Sequence, residues 1–244
     1  MSIAVVGDIH SNLAALEAVL GKIDELGLKR ILFVGDLVGY NASPAECIAL
    51  FRERNCVAIS GNHDRYVTGQ EMRDVRETTV QAVEYTRDAI GQDGIDFLSE
   101  LPEQRTIDDR YMIVHGSILD PDEYMLSPDV IIKNLKELQD SYGGIDVCFF
   151  GHSHYPAVIG NGKVDMKFGE TRNVKLNPMK QYMLNPGSVG QPRDGVKHAA
   201  FGVFDPKAYA FTVHRVPYDV QDSHDRVLEA GLGRKLAERL LIGR

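Results

Sequence analysis

The first 150 residues alternate short apolar runs with amphipathic segments. From residue 12 to residue 26 apolar side chains recur every three or four positions, which predicts a helix capped by Ser11 or Asn12 and ended by Gly27. We predict further helices at 44–52, 77–91, 94–100 and 129–139, and strands at 2–6, 31–34, 57–60, 111–114 and 147–150. Strands that alternate with helices form a parallel sheet with crossover helices.

Beyond residue 156 the pattern changes to successive strands without helices between them. These strands are predicted at 157–160, 164–168, 182–184, 199–204 and 208–214, and a helical tail at 219–241. Turn-forming residues separate the strands, among them Asn161-Gly162 and Asp205-Pro206. No linker or repeat interrupts the chain, so we expect residues 1–244 to form a single domain in which a second sheet packs on the first.

The composition and charge of the chain limit its possible functions more than they limit its possible folds. With a net charge of −8, the 244-residue chain lacks the basic surface that generic nucleic-acid binding requires. A phosphate substrate is still compatible with this charge, because bound metal ions can supply positive charge locally. No apolar run approaches the roughly 18 residues of a membrane span, and the first strand lacks the features of a secretory signal. The three cysteines suggest no disulfide framework, so we expect a cytoplasmic protein without membrane association.

Side chains that can bind metal ions follow the ends of the early strands. They are Asp8, His10, Asp36, Asn62, His63, His115, His152 and His154. The carboxyl ends of parallel strands lie at one edge of a sheet, so these side chains can converge. Taken singly, each has a structural explanation as a turn residue, a helix cap or a hydrogen-bonded histidine. Together they indicate a cation, because unpaired buried charges cost several kcal/mol each.

The number and type of these donors indicate two ions. Seven residues, all of the set except His63, are too many for one ion that keeps open positions, but they suit two ions that share a carboxylate. Oxygen and nitrogen donors without a thiolate favour Mn, Fe, Co, Ni or Zn over Ca. Two such ions about 4 Å apart form a clamp for in-line attack on phosphorus.

Five sequence blocks carry these residues in a recognisable order. They read GDIH at 7–10, GDLVG at 35–39, GNHD at 61–64, VHGS at 114–117 and GHSH at 151–154. Together they resemble the calcineurin-like metallophosphoesterase superfamily, and NPGS at 185–188 resembles a block of its small bacterial and archaeal phosphodiesterase-like branch. The combination is specific, whereas GNHD or GHSH alone would be a weak signal.

The resemblance implies an α/β fold, a four-layer α/β/β/α sandwich of two mixed β-sheets flanked by helices. It also implies two divalent transition-metal ions, with manganese favoured and iron, zinc, nickel or cobalt as alternatives. One ion would be held by Asp8, His10, Asp36 and His154, and the other by Asp36, Asn62, His115 and His152. The catalytic candidates are Asp36, which would bridge the ions, and His63, which would support the phosphoryl oxygens or the leaving group. The attacking group would be a hydroxide that bridges the two metals.

The chain departs from the Ser/Thr protein phosphatases of this superfamily at three positions. Gly39 and Tyr40 stand where those enzymes have the aspartate that orients the catalytic histidine and an arginine that binds phosphate. Asp64 replaces their glutamate, and it fits a local helix cap. Protein phosphatase activity is therefore less expected, and no orienting partner of His63 is identified.

A further group of residues is expected to contact substrate. Arg193 lies in the turn-rich segment 185–195, where its guanidinium can bind phosphate or remain solvated. Backbone N–H groups around Gly187 and Ser188 can support the metal loops. Asn62 and His63 complete the candidate substrate-binding set.

We favour phosphodiesterase activity on a small, nucleotide-like phosphoester. A dinucleoside polyphosphate hydrolase and a phosphomonoesterase or protein phosphatase are the neighbouring alternatives. A non-catalytic scaffold with the same fold is an alternative of another class, which the complete ligand set disfavours. Nothing in the sequence specifies an oligomeric state.

Overall fold

The computed structural model describes residues 1–73 and 75–244. Its strands are β1 (Ile3–Val6), β2 (Arg30–Phe33), β3 (Val57–Ala58), β4 (Gln104–Ile107), β5 (Tyr111–Val114), β6 (Val147–Phe149), β7 (Ala157–Gly160), β8 (Lys163–Asp165), β9 (Arg172–Lys175), β10 (Tyr182–Asn185), β11 (Ala199–Asp205) and β12 (Ala210–Val216). Its helices are α1 (Leu13–Glu25), α2 (Pro44–Arg52), α3 (Asn62–Thr68), α4 (Glu77–Ser99), α5 (Pro128–Ser141), α6 (Val220–Glu229) and α7 (Arg234–Ile242).

The strands form two six-stranded mixed sheets. The first has the order β3-β2-β1-β11-β12-β9, with β1, β2 and β3 parallel and the remaining pairs antiparallel. The second has the order β4-β5-β6-β10-β7-β8, with β5, β6 and β10 parallel. The predicted fold class, two mixed sheets in an α/β sandwich flanked by helices, is confirmed.

Strand β1 shows how the layers bury their apolar residues. Ile3 and Val5 belong to the apolar cluster between the two sheets, with Phe149 of β6. Ala4 and Val6 point the other way and belong to the cluster beneath α1 and α2. A further cluster joins the second sheet to α5. Because both faces of β1 are covered, all four of its residues are apolar, as in other buried parallel strands.

The prediction missed two strands, both at the edges of the sheets. β4 and β9 are rich in polar residues, and three of the four residues in each are exposed. Edge strands with charged residues resist pairing with other chains, but they lack the apolar pattern by which strands are recognised. Helix α3 was also missed, because it begins at Asn62, inside the stretch that looked like a loop after β3.

The long helical predictions are divided by glycines. Segment α4, Glu77–Ser99, consists of two helical parts that meet at a kink at Gly91, whose φ of 59° and ψ of −168° are not helical, and this agrees with the two helices predicted at 77–91 and 94–100. The tail predicted as one helix forms α6 and α7, and Gly231 and Gly233 between them both have positive φ. Among the described residues, no helix has both the length and the apolarity that crossing a bilayer demands.

Candidate metal centre

Loops that follow strands of both sheets meet at one edge of the sandwich. Asp8 and His10 follow β1, Asp36 follows β2, and His152 and His154 follow β6. The backbone of all five residues lies in the left-handed region, with φ between 47° and 62°. Non-glycine residues seldom adopt this conformation, and it persists where the surrounding structure holds it, often at functional sites. These loops are therefore shaped by the site rather than by local preference.

The seven predicted ligands lie together in two groups that share Asp36. Ligand atoms within 4.8 Å of one another come from Asp8, His10, Asp36 and His154 in the first group, and from Asp36, His115 and His152 in the second. Asn62 adjoins the second group, because its Oδ1 lies 3.1 Å from Nε2 of His115. All seven side chains are buried. The structure thus brings together residues that are up to 146 positions apart in the sequence.

Asp36 lies between the two groups. Its Oδ2 is 3.4 Å from Nε2 of His10 and 3.3 Å from Nε2 of His115. Its Oδ1 accepts a hydrogen bond of 2.9 Å from the backbone N–H of His63. The side chain is only 1% exposed, so water does not compete for these contacts. Asp36 is therefore the carboxylate common to both ligand groups.

Backbone carbonyl groups hold three of the site histidines in one tautomer. Nδ1 of His10 lies 3.1 Å from the carbonyl oxygen of Val38. Nδ1 of His115 lies 2.7 Å from the carbonyl oxygen of Val34, and Nδ1 of His154 lies 2.5 Å from that of Gln191. A carbonyl oxygen only accepts, so Nδ1 carries the proton in each ring. In the neutral form of each ring, Nε2 therefore turns its lone pair to the site, which is the arrangement of metal-binding histidines.

Several contacts in the site are unfavourable without a cation. Nε2 of His10 lies 3.1 Å from Nε2 of His154, and burial lowers the pKa of both rings well below the usual value, so two lone pairs face each other. Oδ2 of Asp8 and Nε2 of His152 are buried without a hydrogen-bond partner among the described residues. A divalent ion in the first group would satisfy the atoms of Asp8, His10 and His154, and one in the second group would satisfy Nε2 of His152. The mixture of imidazole, carboxylate and amide donors fits a first-row transition metal.

Burial and neighbouring charges shift the pKa values of the site residues. Burial raises the pKa of Asp8 to about 7. Burial also disfavours ionisation of Asp36, but the imidazoles of His115 and His10 hold its pKa well below the usual value. Burial disfavours the charged form of His115 as well, yet the Asp36 carboxylate raises its pKa to about 9. A proton on His115 thus balances Asp36, and a bound cation would displace that proton.

Segment 185–195 braces the metal loops from behind. The Ser188 hydroxyl donates to the carbonyl oxygen of Asp8 at 2.8 Å. Nδ2 of Asn185 donates to the carbonyl oxygen of Gly151 at 2.9 Å and to the Ser153 hydroxyl at 3.1 Å. These contacts connect the loop after β1 with the loop after β6, so the NPGS block positions the ligand loops, and none of its residues belongs to either ligand group.

Asp64 holds the loop that carries Asp36. Its carboxylate accepts four backbone hydrogen bonds, from Gly61 and Asp36 at 2.9 Å, from Val38 at 3.1 Å and from Leu37 at 3.2 Å. The predicted role as a helix cap is confirmed by the bond to Gly61 at the start of α3. The other three bonds could not be predicted, because they join loops 26 to 28 residues away.

Asp64→Asn is expected to lower the free energy of unfolding by about 2–4 kcal/mol. In the parent protein the buried carboxylate accepts hydrogen bonds from backbone N–H groups, whereas the amide of the variant would turn its own N–H groups toward these donors. Urea denaturation monitored by circular dichroism measures the change. Asp129→Asn, in the exposed first turn of α5, is a matched control with an expected loss below about 1 kcal/mol. Equal losses in the two variants would contradict this role of Asp64.

His63 lies beside the ligand groups without joining either of them. Its ring centroid is 4.2 Å from that of Tyr40 and 4.8 Å from that of His10. Its Nδ1 is buried and has no hydrogen-bond partner among the described residues, and burial lowers its pKa to about 4. Gly39 explains the missing carboxylate partner: its φ is 95°, and a Cβ there would lie 2.4 Å from Nδ1 of His63. Aromatic packing therefore orients this ring.

A cavity of about 930 Å³ opens beside the metal centre. Asn62, His63, His152 and Arg193 line it, and Tyr124 stacks on His152 with ring centroids 4.0 Å apart. The wall is completed by residues that sequence reasoning did not single out, including Tyr66, Arg76, Tyr124, Leu126 and Arg239. They lie on α3, α7 and connecting loops, and no motif marks them.

Comparison with known proteins agrees with this geometry. A family model for the calcineurin-like phosphoesterase superfamily domain matches residues 1–208. An uncharacterized protein of Methanocaldococcus jannaschii is 37% identical over 249 residues, which cover 99% of this chain and 98% of that protein. A metallophosphoesterase from Sphaerobacter thermophilus has a TM-score of 0.85 at 32% identity, with 100% of this chain and 99% of that chain covered. A hypothetical protein from Pyrococcus horikoshii OT3 shares the fold, with a TM-score of 0.83, 20% identity and coverage of 100% and 98%.

The similarity to known proteins therefore extends over the whole chain and includes the sequence blocks that indicated the resemblance. The family model includes every block from GDIH to GHSH, and the loops that carry those blocks form the two ligand groups. This chain belongs to the calcineurin-like phosphoesterase superfamily.

Proposed function

We propose that this protein is a metal-dependent phosphodiesterase that hydrolyses a small, nucleotide-like phosphoester. The observation that carries this proposal is the set of buried oxygen and nitrogen donors in two groups joined by Asp36, with the Nε2 lone pairs of three histidines turned inward. A scaffold that no longer binds metal would have no physical reason to keep two buried carboxylates and four buried imidazoles together.

We assign the donors to two divalent ions. One ion would be held by Asp8, His10, Asp36 and His154, and the other by Asp36, Asn62, His115 and His152. Manganese is the proposed metal, since carboxylate and amide oxygens accompany the imidazoles. When bound, such ions supply Lewis acidity and lower the pKa of water, which provides a nucleophile at neutral pH.

Within the proposed mechanism, the chain's own residues hold the shared carboxylate in place and contact the substrate. Asp36 is held by the His63 backbone N–H and by contacts to two imidazoles, which keeps the shared carboxylate in place. His63 lies next to this carboxylate and borders the cavity. With its pKa lowered to about 4, its neutral ring predominates at pH 7. Donation of an N–H to a phosphoryl oxygen is therefore the role that this environment favours.

Arg193 is the proposed contact for the anionic phosphate. Its Nε is buried without a partner among the described residues, and its positive charge is close enough to favour the ionised form of Asp8 and the neutral forms of His63 and His152. A guanidinium in this position favours a negatively charged ligand above the metal centre. The three cysteines are all unpaired, which supports the proposed cytoplasmic location.

Metal-dependent turnover of bis-p-nitrophenyl phosphate is the expected result of a direct test. The chelator-treated protein should be inactive, and added Mn²⁺ should restore release of p-nitrophenol, measured by absorbance. The monoester p-nitrophenyl phosphate serves as the matched substrate, and slower turnover of the monoester is expected for a phosphodiesterase. Absence of turnover with Mn²⁺, Fe²⁺, Co²⁺, Ni²⁺ and Zn²⁺ would favour the scaffold instead.

A further inference from the structure

Four arginines line the cavity beside the metal centre, and three of them, all except Arg73, are considered together. Arg193 lies in segment 185–195, Arg76 directly precedes α4, and Arg239 lies in α7. Burial and the like charges of Arg193 and Arg76 lower the pKa of the Arg239 guanidinium, so the three charges influence one another. In a chain with a net charge of −8, this is a local concentration of positive charge. Such a cluster attracts anions into the cavity.

The other charged residues of the cavity wall are already paired. Arg73 pairs with Glu71 at 2.6 Å, and Asp122 pairs with Arg65. Within residues 1–73 and 75–244, none of the three forms an ion pair with an aspartate or glutamate side chain. Carboxylate side chains of the described residues therefore do not neutralise the positive charge of the cluster.

The hydrogen bonds of Arg193 go to neutral side chains, and that of Arg239 goes to a main-chain oxygen. Nη1 of Arg193 lies 3.4 Å from the Tyr124 hydroxyl and Nη2 lies 3.3 Å from Oε1 of Gln191, both long contacts. Nε of Arg193 is buried without a partner among the described residues. Nε of Arg239 donates to the main-chain oxygen of Arg244 at 2.6 Å, which leaves its terminal nitrogens for a ligand. A buried cation with neutral partners, such as Arg193, is poorly solvated, and an anion would offset this cost.

Helix α7 is fastened to the segment that carries Arg193. Gly243 ends the helix with φ of 64°, and its carbonyl oxygen accepts a 2.9 Å hydrogen bond from the backbone N–H of Gly195. A Cβ on Gly243 would lie 2.6 Å from the backbone of Val196, so the two segments are in close contact. The positions of Arg239 and Arg193 are therefore coupled. Helix α7 lies outside residues 1–208, the part that the family model matches.

We propose that Arg239 and Arg76, next to Arg193, form a second anion subsite, which binds a phosphate group of the substrate other than the one that is cleaved. A phosphate suits this cluster better than a carboxylate, because its oxygens can accept from more than one guanidinium at once. This inference rests on the proposed function for the position of the cleaved phosphate. The substrate class is then a phosphoester that carries at least two phosphate groups.

The remaining cavity surface is compatible with a nucleoside between or beside the two phosphates. Tyr40, Tyr124 and Leu126 line the wall, and aromatic and aliphatic surfaces suit a ribose or a base. The volume of about 930 Å³ lies at the upper end of ordinary ligand cavities. There is consequently room for a molecule larger than a single phosphate ester.

Isothermal titration calorimetry of the Mn²⁺-loaded protein tests the subsite without requiring turnover. The probes are adenosine 5′-monophosphate, adenosine 5′-diphosphate and adenosine 3′,5′-bisphosphate, with released phosphate assayed in the same samples. At least one of the two probes with a second phosphate should bind about tenfold more tightly than the monophosphate. The probe with the larger gain reports the spacing between the two phosphate positions.

Arg239→Gln should reduce the gain in affinity from the second phosphate about tenfold, and Arg76→Gln should reduce this gain by a smaller factor. Arg76 is exposed and precedes the helix, so its variant tests the subsite even if Arg239→Gln fails to fold. Arg234→Gln is the matched control: it removes the same charge from α7 at a side chain that is 83% exposed, and the gain should persist.

The outcomes separate this proposal from the proposed function. Equal affinities for one and two phosphates in the parent protein would overturn the subsite, even if bis-p-nitrophenyl phosphate is hydrolysed. A gain that survives in both Arg239→Gln and Arg76→Gln would overturn the assignment as well. Conversely, a gain that depends on these arginines in a protein that hydrolyses no phosphoester would support the subsite and contradict the enzymatic proposal.

Discussion

Asp36→Asn is expected to lower metal-dependent phosphodiesterase activity by about 10³-fold or more, the largest effect of any single substitution in the site. Asp36 is the residue common to both ligand groups, and an amide removes the negative charge that would attract two cations. Losing metal assistance costs several kcal/mol of transition-state stabilisation, and each 1.4 kcal/mol is about a factor of ten in rate. The same substitution should weaken metal binding.

Metal content and melting temperature should be measured together with the reaction rate, in the parent protein and in the variant. In the parent protein, Mn²⁺ at 100 times its dissociation constant should stabilise the fold by about 2.7 kcal/mol, seen as a higher melting temperature. Asp36→Asn should show little of this rise and a lower metal content per chain. Asp88→Asn, at an exposed position of α4, is the matched control and should behave like the parent. A fully loaded and active Asp36→Asn protein would refute the shared-ligand assignment.

His63→Gln is expected to reduce kcat by about 10²–10³-fold while the metal content stays at the parent level. His63 lies outside both ligand groups but borders the cavity and contacts the Asp36 loop, so its loss should affect the reaction and not the ions. Steady-state kinetics with bis-p-nitrophenyl phosphate and metal analysis of the same preparation measure both quantities. His224→Gln, on α6 away from the site, is the matched control.

The pH dependence gives a further check on His63. Burial lowers its pKa to about 4, so the ring is protonated only below that value and neutral throughout pH 5–8. An acid limb of kcat/KM between pH 5 and pH 7 would then come from another group, and it should persist in His63→Gln. Loss of metal from His63→Gln would show instead that His63 is a ligand, and an unchanged kcat would exclude it from the reaction.

Local patterns predicted the elements that position the metal loops. The strands β1, β2, β5 and β6 begin and end within two residues of their predicted bounds, because buried parallel strands are continuous apolar runs. The polar edge strands β4 and β9 lack such runs, and they were missed. The seven metal-binding candidates were found by their position after strands, and all seven meet in the structure.

Residues that act through distant contacts were harder to find. Asp64 was predicted only as a helix cap, although its carboxylate also accepts three backbone bonds from the Asp36 loop. Arg239 follows no motif and lies on an otherwise ordinary amphipathic helix. Both cases have the same physical cause. The contacts that a side chain makes across the fold depend on how the helices, strands and loops pack, and the sequence around that residue does not indicate this packing.

The sequence by itself determined which segments are buried and which side chains can bind metal, because apolar periodicity and donor chemistry are properties of short stretches of chain. Only the tertiary structure decided that Asp36 contacts both ligand groups, that backbone carbonyls turn three imidazoles inward, and that Arg239 shares a cavity with Arg193. These features arise from the pairing of strands and the docking of loops and helices over more than a hundred residues, which bring together groups that no local pattern relates.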